Sequence, residues 1–206
     1  MLAVRFHTVL LILHLTALAI GLGAAFLADW IAVTKLLFGR LSARSAAQLR
    51  DLSTAVSVGL AMLWMSGSLL VWDNFATTSA TLGNEKLWAK LVIVVTLSLN
   101  AVVLHKVALP LVQARIGQTL FDRRQHRARM VCALLAAVSF TSWVFALYLG
   151  AARELNGTVA MIDVLTFYSE AVILVWLGGL LLCYASFREQ PRPVGTPDVR
   201  TSISGP

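Results

Sequence analysis

The sequence predicts an all-α fold, a polytopic integral membrane bundle of five transmembrane helices with its amino terminus outside and its carboxyl terminus in the cytoplasm. Three observations predict it. Of the 206 residues, 58% are hydrophobic and 13% charged, whereas soluble domains are about 45–50% apolar and about 25% charged. Several apolar runs reach about 20 residues, enough to cross a hydrocarbon core as a helix. Basic residues are concentrated in alternate connections, the pattern that retains cytoplasmic loops. The alternation and turn chemistry of an outer-membrane barrel are missing.

The first span covers about residues 6–32. Arg5 precedes an apolar stretch and Gly23-Ala24-Ala25 resembles a peptidase site. The run is long for a signal peptide and is interrupted by His14, so it is read as a retained helix. The others cover about 55–72, 87–108, 130–150 and 159–184. Residues 1–188 thus form one bundle. Leu37, Leu41, Leu49 and Leu52 fall near one helical face of residues 35–54. That stretch is either a short interfacial helix or an extension of span two. The tail, residues 189–206, is rich in Pro, Gly and Ser and lacks aromatics, and is expected to be a disordered cytoplasmic segment.

Orientation follows from Lys35, Arg40, Arg44 and Arg50 after span one, and from Arg115, Arg123, Arg124, Arg127 and Arg129 after span three. Arg188, Arg192 and Arg200 add to the same side. The other two connections hold only Lys86 and Arg153. The formal charge of +7 is therefore assigned to cytoplasmic loops and not to nucleic-acid binding. His126, inside DRRQHRAR, belongs to that basic loop. Trp30, Trp72 and Trp88 stand at span ends, where indoles favour the interface. Cys132 and Cys183 lie far apart within apolar runs, with no zinc or disulfide spacing.

Ionisable side chains inside spans are costly and normally face a bundle interior or a wet cavity. With a rise of about 1.5 Å per residue, His14, Lys90 and Glu170 fall in one layer of the outer leaflet. Glu170 is then the natural partner of Lys90 or His14, either in a structural ion pair or in a ligand site open to the outer face. His105 and Lys106 belong to the opposite leaflet. His105 lies about 18 Å below His14 on this helix geometry, too far for both to ligate one haem, and near the depth of Asp29, its expected hydrogen-bond partner. Met62 and Met65, spaced i, i+3, suit soft-metal coordination or simple packing. Ser98, Asn100, Ser139, Thr141 and Ser142 read as interhelical hydrogen-bonding groups.

Two stretches carry a resemblance. LLILHLTALAIGLGAAF is similar to the first helix of HemJ-type protoporphyrinogen oxidases, and LWAKLVIVVTLSLNAVVLH to a later helix of that family. WMSGSLLVW and AKLVIVV…LHKVALP also resemble the copper-resistance D family. The likeness covers spans one to three, about half the chain. It implies that His14 and Lys90 match a functional histidine and lysine, and that b-type haem and a porphyrinogen or quinone are the cofactor and redox partner.

The expectation is a bacterial inner-membrane redox protein with haem b. His14 is its metal ligand, Lys90 the partner of a propionate or substrate carboxylate, and Glu170 the proton relay or the group that orients the histidine. His105 is a second candidate cofactor residue. Two alternatives stand beside it: a copper-handling transporter using His14, Met62 and Met65, and a non-catalytic subunit of a membrane complex, in homo-oligomeric or larger assemblies.

Overall fold

The computed structural model describes residues 2–38, 41–77, 83–114, 116–117 and 126–188. Among the described residues six α-helices follow one another: α1 (Leu2–Phe38), α2 (Ala43–Thr77), α3 (Glu85–Val103), α4 (Leu109–Gln113), α5 (His126–Ala151) and α6 (Met161–Arg188). A π-helical turn, Leu104–Ala108, joins α3 to α4. No strand occurs among the described residues. Among the described residues five segments are long and apolar enough to cross a membrane: Phe6–Lys35, Ala43–Ala76, Glu85–Gln113, Met130–Ala151 and Met161–Leu182. These are the five expected spans, several of them extended at their ends. Residues 43–54 continue α2 and form no separate interfacial helix. Arg40, Arg115, Arg123, Arg124 and the tail 189–206 lie outside the described residues.

The helices α1 and α2 form an antiparallel hairpin with a seven-residue seam. His7 meets Asp73 at 2.8 Å, His14 meets Ser66 at 2.9 Å, and Gly21 meets Gly59. A Cβ at Gly59 would stand 2.8 Å from Gly21 N and 3.1 Å from Ala17 O. Seven residues separate successive contacts on each helix, the repeat that keeps one face turned to its partner. Small residues at Ala17, Gly21 and Ala25 let the backbones approach, the usual device of helices packing in lipid. The fully buried indole of Trp143 on α5 lies against Gly21, so any side chain there would strike the ring.

The buried stripe of α3 runs through Lys86, Ala89, Ile93, Leu97 and Asn100, the three- and four-residue spacing of one helical face. Ala89 and Ile93 pack with Phe145, Leu149, Val164 and Tyr168 of α5 and α6. Leu97 joins Ala17, Leu63 and Trp143 in the central cluster. Polar pairs fix the crossings. Trp64 Nε1 donates to Ser98 Oγ at 3.0 Å, Asn100 Nδ2 donates to Leu135 O at 3.0 Å, and Ser142 Oγ lies 2.8 Å from Tyr168 Oη. Ser98, Asn100 and Ser142 thus hydrogen-bond between helices as expected, whereas Thr141 Oγ1 has no partner among the described residues.

At the end of the bundle carrying the amino terminus, Asn84 caps α3 by accepting from Lys86 N at 3.1 Å. Glu85 Oε2 accepts from Met161 N at 2.7 Å, satisfying the first turn of α6. Lys86, a loop charge by its sequence position, is 2% exposed. Its ammonium donates to Ala152 O and Asn156 Oδ1, tying the start of α3 to the turn that follows α5. At the opposite end, Leu41 and Ala46 pack with Leu111, Val112 and Cys132.

Candidate functional site

The hairpin seam places His14 beside Ser66, and the hydrogen bond there engages one of the two ring nitrogens. Ser66 Oγ donates to Met62 O at 2.7 Å, the back-bond a serine makes to the carbonyl four residues earlier. The same hydroxyl lies 2.9 Å from His14 Nδ1, a bond whose direction follows the tautomer of the ring. Nε2 has no hydrogen-bond partner among the described residues. A hydrogen-bonded Nδ1 with an open Nε2 is the arrangement of metal-ligating histidines, whose second nitrogen is held by an outer partner. Gly67 completes the seat. A Cβ there would come 3.3 Å from His14 Cε1, so glycine lets the imidazole lie flat against α2.

Lys90 of α3 is half-buried and within electrostatic reach of His14. It makes no hydrogen bond or ion pair among the described residues, so its ammonium is available to a carboxylate. The expected third member does not join them. Glu170 is exposed on the outer face of α6. The shared layer is a matter of depth, whereas meeting also requires side chains to point at one another around each helix axis. Met62 packs against the central cluster, and Met65 is 67% exposed. Among the described residues, no group of three or more His, Cys, Asp or Glu side chains is gathered as a self-sufficient metal site.

His105 lies elsewhere, on the π-helical turn. Proline at 110 has no N–H for the carbonyl of Lys106, and Leu109 N–H bonds Leu104 O in the wider register. Such turns are frequent at functional positions. His105 was expected to bond Asp29. Instead its Nε2 lies 3.0 Å from Ser53 Oγ and 2.9 Å from Ser57 Oγ. Asp29 Oδ2 is buried with no hydrogen-bond partner among the described residues. Depth suggested the acid, but the i, i+4 serines of α2 face the ring.

Both side chains line a cavity of about 520 Å³ enclosed by α1, α2, α3, α5 and α6 with the π turn and α4. Its walls are mostly aliphatic, with Asn100, Ser139 and Cys132 also contributing. Its upper edge on α1 is Ala25, about 16 Å along the helix from His14. The described residues therefore hold two separate polar places, the His14–Ser66 pair towards the amino-terminal end and a cavity with Asp29 and His105 towards the other. Ser53 and Ser57 as partners of His105, and Lys86 as a buried tether, were not foreseen. Serines four apart on α2 were a signal available for the first. No family model matches the chain, and no curated protein or solved structure matches it.

Proposed function

We propose that this protein is a haem b-binding redox protein of a bacterial inner membrane, in which His14 would hold the haem iron through Nε2. The observation that carries the reading is the Ser66 hydrogen bond, which engages Nδ1 and leaves Nε2 as the nitrogen that would face iron. The donor set fits the group: one oriented imidazole and one cation without a partner among the described residues. Lys90 would pair with a propionate or with a substrate carboxylate. When bound, the haem supplies reversible one-electron chemistry at iron. The chain's own part is to orient the ring, balance the carboxylate charge and exclude water with the aliphatic faces of α1 and α3. The likeness of spans one and three to HemJ-type proteins favours porphyrinogen oxidation or electron transfer to a quinone as the redox task.

The alternative of copper handling through His14, Met62 and Met65 draws no support from geometry, since Met65 is turned outward. The visible spectrum and metal content of protein produced with ample haem test the reading together. A Soret band with iron and no copper supports it. Copper without a Soret band overturns it.

A further inference from the structure

The cavity at the other end of the bundle is not used by the His14 site, and two of its polar groups share one chemical character. His105 Nε2 lies between two hydroxyls, 3.0 Å from Ser53 Oγ and 2.9 Å from Ser57 Oγ. Asn100 uses its amide donor on Leu135 O, and its Oδ1 accepts nothing among the described residues. Asp29 Oδ2 is buried and unpartnered. Asp29 on α1 and Asn100 on α3 thus offer lone pairs in a largely aliphatic space. Buried acceptors are costly unless a donor reaches them, and none of the lining side chains does so.

We propose that this cavity binds an apolar molecule whose flat head donates hydrogen bonds from opposite edges, a lipid-soluble hydroquinone. The volume of about 520 Å³ is that of an ordinary small-molecule site. Asp29 stands on α1 and Asn100 on α3, two elements that do not pack closely on each other. The acceptors therefore lie on separate walls, which suits two hydroxyls across a ring better than one compact ammonium group. Gly178 and Gly179 form part of the wall on α6, and a Cβ at either would meet nothing within 4 Å. These glycines keep open the space that the ring and the start of its tail would occupy. Because the site lies within membrane-crossing segments, its ligand arrives from the lipid phase.

The test uses the full chain in lipid nanodiscs with a decyl-substituted benzohydroquinone, its dimethyl ether and decylamine as probes. Binding is read by calorimetry, and folding by the thermal midpoint. The hydroquinone should bind in the micromolar range and the ether at least about tenfold more weakly, the loss expected when a buried acceptor is left without its donor. Gly179→Leu should abolish binding with an unchanged thermal midpoint, and Asp29→Asn should weaken it about tenfold. Neither variant should alter haem content, and His14→Ala should leave hydroquinone affinity unchanged, so this site and the haem reading fail separately. Equal binding of hydroquinone and ether would show a general apolar niche and overturn the proposal. Preference for decylamine, or unchanged affinity in both cavity variants, would overturn it as well.

Discussion

Ser66 Oγ lies 2.9 Å from His14 Nδ1 and 2.7 Å from Met62 O, so one hydroxyl ties an imidazole of α1 to the backbone of α2. That relationship holds the ring of a histidine in an apolar run in one orientation. Without an outer partner the ring would be free to rotate and to present either nitrogen.

Ser66→Ala should therefore loosen the cofactor without removing its ligand. Haemin titration of apo-protein should give an affinity lowered about 10- to 100-fold, whereas Ser66→Thr, which keeps the hydroxyl, should stay near the wild-type value. Gly67→Val should produce a loss of similar kind, because its Cβ presses on His14 Cε1 at 3.3 Å.

Lys90 and Glu170 should behave differently, although their depths are alike. Lys90→Met should weaken retention of haem and Lys90→Arg should restore most of it, since a guanidinium also pairs with carboxylates. Glu170→Gln should leave haem content and spectrum unchanged, because the side chain is exposed on α6. Haem-to-protein ratios of the three purified variants check this.

The α1–α2 seam should be intolerant of any added side chain. At Gly59 a Cβ would stand 2.8 Å and 2.9 Å from Gly21 backbone atoms, and neither atom can rotate aside. Gly59→Val should cost at least about 1–3 kcal/mol, the usual price of overpacking, read as a lowered midpoint of thermal unfolding in detergent. Gly23→Val, where a Cβ meets nothing within 4 Å, is the matched control and should change little.

Lys86→Met should loosen the turn after α5. Removing the ammonium leaves Ala152 O and Asn156 Oδ1 without their donor, a loss of about 1–3 kcal/mol when the acceptor is buried. Faster amide exchange at residues 152–158, with haem content unaffected, is the expected signature.

The spans were legible because apolar length is a one-dimensional property of the chain. The start of α2 was not, since Ala43–Leu52 is helix-forming without being apolar and hydropathy sees the membrane rather than the helix. The same distinction governs the sites. Counting residues from each span end put His14 and Lys90 at one depth. It put Glu170 there too, but counting gives depth without azimuth, and Glu170 points outward. His105 was matched to Asp29 by depth alone, whereas Ser53 and Ser57 meet it because α2 presents them one turn apart. The cavity had no sequence signature at all. It arises from alanines and glycines spread over several helices, which become a wall only when the helices pack.

The central claim is that Nε2 of His14 holds an iron porphyrin, and the haem-to-chain ratio of wild-type protein beside His14→Ala tests it most directly. With both produced under the same haem supply, the wild type should carry close to one haem per chain and His14→Ala little or none, with matching thermal midpoints. Equal haem in the two proteins, or none in either, would contradict the account.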